Sequence, residues 1–402
     1  MSVGTAFYPR TAPLNRKLQW REWSGYLAAS AYHDSHEIEY NAIREAAALI
    51  DVSPLYKYLV SGPDAMRLVD RVITRDAEEL AVGRVYYTSW CNEEGRVVDD
   101  GTVARLDERT YRWTAADPSL RWFRMNARGL EVEIEDVTER VSALAVQGPL
   151  SRDVLEATTE TSWGDLKYFG RRAGQVGRIP VDVSRTGYTG DLGYEIWVES
   201  GDAVELWDAF MRAGSAYGIR PAGMLALDVT RIEAGLILIE ADFDSVRRAL
   251  IPEQSFSPFE LGILGRFVDF EKRAEFVGRR ALEREQKRGG PPRRLVGLEL
   301  EWEPLEELYR AKGLTPTLEM AASRAHLPLY TRGRQIGRAT STTWSPTLKK
   351  VVALASVGPD QSGLGTKIEV EWTVEARRSR TAATVVELPF FNPARKTSTV
   401  EG

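Results

Sequence analysis

The stretch Ser184 to Val198, "SRTGYTGDLGYEIWV", sets three glycines at intervals of three: Gly187, Gly190 and Gly193. A loop that holds phosphate normally opens a helix and carries a lysine. Here no lysine follows, and the segment runs into the strand-like "YEIWV", led by Glu195. A carboxylate repels phosphate but suits a ligand edge rich in N–H donors. The plainer alternative is a series of tight turns, with glycine supplying positive φ and Glu195 solvated. A second candidate is the acid pair Asp99–Asp100 in "GRVVDDGTV". Neighbouring strand residues point to opposite faces, so one acid at most faces a given pocket. Acids in an otherwise apolar strand are costly to bury unpaired, so a solvated hairpin also explains them. A third is "LDVTRIEAGLIL", which places Arg231, Glu233 and Gly235 on a helix. Its charges either line a site or face water, and its glycine permits close approach of another element.

Other chemistries find less support. The histidines are His33, His36 and His326, and "HDSHE" matches neither metal spacing of the HExxH kind nor a nucleophile motif. We expect no metal. Cys91, the single cysteine, reads as a small core residue. Trp20, Trp23, Trp90, Trp113, Trp344 and the pair Tyr86–Tyr87 read mainly as core, with a subset able to line a flat or cationic ligand.

The elements that must position these groups follow from periodicity. Residues 36–50, "HEIEYNAIREAAALI", predict an amphipathic helix capped by Ser35. "RVYYTSWCNEEGRVVDDGTVARL" alternates as two strands joined at "NEEG". "GDAVELWDAFMRAGSAYG" predicts a helix closed by Gly218. "QKRGGPPRR" marks the clearest boundary, and strand-like segments dominate after it. We therefore expect an α+β chain with residues 1–290 as one region and a small all-β module over 293–390.

The chain has 402 residues, a net charge of -5 and a pI near 5.6, which argues against a nucleic-acid-binding face. One cysteine, no apolar leader and no long apolar run lead us to expect a cytoplasmic protein without a membrane span.

Taken together, these segments resemble the T-protein (aminomethyltransferase) family of the glycine cleavage system. "SRTGYTGDLGYEI" is similar to the family's R-T-G-Y-T-G-E-x-G-Y/F-E-I, and "NEEGRVVDDGTV" to N-x-x-G-G-x-x-D-D-L-x-V. "IREAAALIDVS", "RIEAGL", "EFVGRRALE", "SRAHLPLY" and "WSPTLKK" match in order along the chain. The resemblance implies a three-domain ring with a central folate funnel and a C-terminal β-barrel. It implies tetrahydrofolate as co-substrate, its pterin edge held by Glu195 with the glycines turning the backbone beside the flat ring. It assigns catalysis to Asp99, near N10 of the folate, and to Tyr87 beside the pterin. To the folate-contacting set we add Tyr188, Arg231, Arg324 and Trp90.

The departures bear on the donor. The family's D-V-S-H becomes Asp51-Val52-Ser53-Pro54, and its A-R-D becomes Ala226-Leu227-Asp228. A family tryptophan aligns with Gly265, and an asparagine with Thr114. The changes remove a cation, an imidazole and an indole, and the lost indole would open a volume. We expect a one-carbon transferase that moves a methyl or methylene group from a small methylated donor to N5 of tetrahydrofolate. Tyr86, Tyr87 or Tyr188 would supply a proton where the leaving group needs one. The alternatives are an aminomethyltransferase that acts on a lipoyl carrier protein and a non-catalytic folate-binding protein of the same fold.

Overall fold

A computed structural model describes residues 2–159 and 161–399. Three sheet-based units meet around one central space. The first is a five-stranded sheet ordered Val85–Cys91, Val97–Arg105, Thr110–Ala115, Tyr56–Ser61, Glu133–Asp136. The second is a six-stranded sheet ordered Arg171–Val176, Ile179–Ser184, Gly193–Glu199, Val141–Gln147, Ala48–Asp51, Arg220–Pro221. The third, between Arg294 and Val386, is a closed six-stranded barrel. The α+β class and the C-terminal barrel thus agree with the sequence reading.

Ser35 caps the first long helix, His36–Glu45, its hydroxyl accepting from the Glu37 N–H at 3.2 Å. The helix stops well short of Ile50. Residues Ala48–Asp51 instead form a strand paired antiparallel with Val141–Gln147. Ala48, Leu49 and Ile50 are all buried, and a run that is apolar on every side satisfies helical and strand periods alike.

The hairpin of Val85–Cys91 and Val97–Arg105 turns at "NEEG" as expected, with Gly95 at φ 72°. Its inner face carries Trp90, which is fully buried. Trp90 stands edge-on to Trp113 at 5.4 Å, and Trp113 lies 4.2 Å from Phe123. The expectation that Trp90 contacts folate is therefore corrected: its indole belongs to the core of the five-stranded sheet. Trp90→Ala should cost about 3–5 kcal/mol of stability through the cavity it leaves. A thermal melt checks this, with ligand affinity below the transition unchanged.

Candidate functional site

Where the three units meet lies a cavity of 1290 Å³. The five-stranded sheet lines it with Tyr86, Tyr87, Asp100, Gly101, Thr102 and Thr114. The six-stranded sheet and its loop add Thr186, Gly187, Tyr188 and Glu195. The helix Met224–Glu233 adds Leu227, Asp228 and Arg231, and the barrel unit adds Arg324 and Leu388.

Glu195 sits on the strand Gly193–Glu199, opposite Ala145 and Ser184. Its Oε2 accepts from the Thr186 hydroxyl at 2.5 Å. Its Oε1 accepts from no described residue and is left for the cavity. Burial lifts its pKa, while Thr186 and the nearby Arg112 pull it back down. Arg112 is itself held, 2.5 Å from Asp182 and over the Trp197 ring at 4.1 Å. The result is a carboxylate with one oxygen fixed and one free.

Gly190 has the positive φ expected of it, at 73°, and the other two glycines have a further role. A Cβ at Gly187 would lie 2.1 Å from Gln147 Oε1, and one at Gly193 2.2 Å from Gln147 Nε2. The two glycines thus make room for the Gln147 side chain, which donates to the Thr186 carbonyl at 3.2 Å and accepts from Thr189 at 2.7 Å. Gln147 stiffens the loop that presents Thr186 to Glu195. Sequence reasoning missed it because its partners lie about forty residues away along the chain.

The acid pair divides in the opposite sense to expectation. Asp99 is fully buried and turned from the cavity. It accepts from the N–H groups of Asp100 at 2.8 Å and Asp117 at 2.9 Å, tying its strand to the loop after Ala115. Asp100 faces the cavity and accepts from the Tyr87 hydroxyl at 2.6 Å. Burial raises its pKa to about 6, and the Tyr87 hydrogen bond opposes the rise. Burial and the neighbouring Asp100 push Asp99 up as well, against the two N–H groups that favour its anion. Tyr87, expected at the centre, is there, but the acid beside it is Asp100.

Tyr188 lines the cavity with its hydroxyl already donated to the Ile237 carbonyl. Arg231 also lines it, yet its donors are mostly committed. Its Nε reaches Asp228 at 2.9 Å, Nη2 reaches Ser341 at 2.8 Å, and Nη1 pairs with Asp242. It ties its helix to the barrel strand Arg334–Ser345. Arg324 meets the other oxygen of Asp228 through Nε at 2.8 Å, leaving its terminal nitrogens to the cavity. Asp228, one helical turn before Arg231, was visible in "ALDVTRIEAG"; Asp242 carried no local signal. Arg231→Met leaves buried Asp242 without a cationic partner among the described residues and Asp228 with only Arg324 and Arg21, and should cost about 3–5 kcal/mol. Chemical denaturation checks this expectation.

The histidines are structural: His33 meets Glu39 at 3.2 Å, His36 the Met320 carbonyl at 3.0 Å, and His326 the Ala241 carbonyl at 3.1 Å. Among the described residues no cluster of three or more His, Cys, Asp or Glu could hold a metal ion. Cys91 is buried in an apolar cluster, and that burial pushes its thiol well up. No helix among the described residues is long and apolar enough to cross a membrane.

Residues 7–272 match the GCVT N-terminal domain, and residues 293–392 match the glycine cleavage T-protein C-terminal barrel domain. The chain belongs to the glycine cleavage T-protein family. It is 35% identical over 358 residues to an aminomethyltransferase of Shouchella clausii, covering 88% of this chain and 89% of that protein. It is also 35% identical over 408 residues to the trimethylamine-oxide aldolase of Ruegeria pomeroyi, across 98% of this chain and 48% of that protein. The chain therefore spans about half the length of that second relative. The crystal structure of glycine cleavage system aminomethyltransferase T from Bartonella henselae matches with a TM-score of 0.81 at 23% identity, over 98% of this chain and 99% of that one, a likeness of fold.

Against the T-protein family pattern, two of the four departures reach the cavity. Leu227 and Thr114 line it. Pro54 does not, although Val52 and Leu55 on either side of it do. Gly265 opens no space there. A Cβ at this position would lie 2.8 Å from Phe259 Cα and 3.1 Å from the Pro258 carbonyl oxygen, so it packs against its own unit. The enlarged donor pocket expected from the lost indole is absent at that position.

Proposed function

We propose that this protein transfers a one-carbon group, methyl or methylene, from a small methylated donor to N5 of tetrahydrofolate. As a member of its family the chain is a one-carbon-group transferase. The observation that carries the finer reading is Glu195, with one oxygen uncommitted inside a cavity of 1290 Å³. Pockets of about 300–1,000 Å³ hold drug-sized ligands, so this one has room for two reactants. The pterin of tetrahydrofolate offers a flat edge of N–H donors, and Glu195 would accept from it in a charge-assisted pairing.

Methyl transfer breaks the bond from carbon to the donor heteroatom, whose electron pair leaves with that atom. A carbon–N5 bond forms, and N5 releases one proton. Asp100, held by Tyr87, would take that proton. Holding the two reactants in line is worth up to roughly 7–11 kcal/mol in ideal cases. Of the three tyrosines that would serve an ether donor as acid, Tyr87 and Tyr188 have their hydroxyls committed. That favours an onium donor, whose leaving group departs neutral and needs no proton. The relative named trimethylamine-oxide aldolase, with its methylated substrate, lends support to a methylated donor.

A second reading is aminomethyl transfer from a lipoyl carrier protein, favoured by the similarity to an aminomethyltransferase over 89% of that protein's length. One experiment separates the two. The protein is incubated with tetrahydrofolate and a panel of methylated amines and sulfonium compounds, beside an aminomethylated carrier, with folate products followed by mass spectrometry. 5-Methyltetrahydrofolate from the panel is expected. Turnover of the carrier with none of the panel would replace the first reading by the second.

A further inference from the structure

Arg75 carries a cation that forms no ion pair among the described residues; Glu79 acts on it only through space. Its guanidinium carbon lies 3.6 Å over the Tyr86 ring and 4.4 Å from the Phe267 ring. One nitrogen donates to the Tyr87 carbonyl at 3.3 Å. It pairs with no carboxylate among the described residues, and burial lowers its pKa. Arg75, Tyr86, Tyr87 and Phe267 all line the central cavity.

A guanidinium packed against two aromatic rings presents its edge to the cavity, and that edge is a planar fork matched to a carboxylate. Leaving such a charge half-buried and unpaired is unfavourable unless an anion arrives. The position fits a reactant. Phe267 touches both the Arg75 guanidinium and the Tyr87 ring, whose centroid lies 6.3 Å away, and Tyr87 carries Asp100. An anion on Arg75 therefore lies about one aromatic ring from the pair that faces the proposed chemistry. The same arrangement disfavours a purely cationic donor, because the aromatic faces that would attract one already hold a cation.

We infer that Arg75 anchors a carboxylate on the one-carbon donor, so the donor is a small zwitterion: onium at the reacting end, carboxylate at the other. This rests on the tetrahydrofolate reading above and adds the donor class to it.

The test uses the full chain saturated with tetrahydrofolate. Three probe pairs are titrated by calorimetry: glycine betaine against choline, dimethylglycine against dimethylaminoethanol, and 3-(dimethylsulfonio)propionate against trimethylsulfonium. At least one carboxylate is expected to bind roughly ten-fold or more tighter than its partner. Arg75→Gln should erase that preference and Arg75→Lys keep part of it, with tetrahydrofolate affinity changed by less than about two-fold in both. Circular dichroism melts establish that each variant is folded. Equal binding within every pair, binding by no carboxylate, or a preference that survives in Arg75→Gln overturns the inference. A fourth result also overturns it: Arg75→Gln weakens tetrahydrofolate but not tetrahydropteroate, which lacks the glutamate. That would assign Arg75 to the folate tail. Failure of the wild-type protein to bind tetrahydrofolate at all would strike the underlying reading instead.

Discussion

Glu195→Ala is expected to weaken tetrahydrofolate binding by roughly 2–4 kcal/mol, about thirty-fold to nearly a thousand-fold, with the fold intact. The loss has two parts. The charged hydrogen bonds to the pterin edge disappear, and the ring's N–H donors are left buried without an acceptor. Stability should move little or rise. Burial lifts the Glu195 pKa, so the folded state holds the proton more tightly than the unfolded chain. The ionised carboxylate thus costs stability at neutral pH, and alanine removes that cost. Against it stands one lost hydrogen bond from Thr186, whose oxygen stays 2.8 Å from the Ser184 hydroxyl. Calorimetric titration and a thermal melt read the two effects separately. Wild-type affinity in the variant would end the role of Glu195 as pterin anchor.

The glycine-spaced loop and the acid pair were legible because each is contiguous in the chain and rare in composition. What they do there was only half legible. Alternation separates the two acids but does not say which one meets the cavity, and elsewhere the strand Val97–Arg105 departs from it. Val98 and Val103 pack into the same core cluster although their parity differs, and Asp100, Gly101 and Thr102 line the cavity in succession. At the pair itself the alternation holds, one acid in the core and one in the cavity; it was the resemblance, not the period of two, that picked Asp99. Gln147, Asp242 and Arg75 were missed for another reason: each acts on residues from other segments. Arg75 meets Phe267 nearly two hundred positions on, a contact that only the assembled cavity reveals. Gly265 shows the converse. A local alignment suggested an opened pocket, but the position faces Phe259. Local chemistry survives in a linear reading; orientation and long-range pairing do not.

The same geometry makes Asp100→Asn the most informative single change. Turnover should fall by about 10²–10⁴-fold, because an amide of the same shape cannot accept the proton that leaves N5. Tetrahydrofolate affinity should hold, since the pterin edge is gripped by Glu195. The pH behaviour adds a second readout. Burial raises the Asp100 pKa to about 6, above its ordinary value near 4. The folded protein therefore binds this proton more tightly than the unfolded chain does. Its contribution to stability falls as pH rises from about 4 to about 6, and the full cost persists at higher pH. Asp100→Asn should accordingly be more stable than wild type at pH 8, by on the order of 1–3 kcal/mol, and equal to it near pH 4. Wild-type turnover should rise with pH through about 6 and then level, a limb the variant lacks. Tyr87→Phe should move that limb upward, because the Tyr87 hydrogen bond holds the Asp100 pKa down. Asp99→Asn should differ from Asp100→Asn in turnover. Its amide presents an NH₂ toward one of the two backbone N–H groups that Asp99 now accepts from, a loss of about 1–3 kcal/mol that shows fully near pH 4 and is offset at higher pH by removal of the buried charge, while turnover of the folded protein stays near wild type. Steady-state kinetics across pH with denaturation of all three variants decides the matter. A silent Asp100→Asn beside an inactive, stable Asp99→Asn would return the chemistry to the buried acid and leave Asp100 as a hydrogen-bond partner of Tyr87.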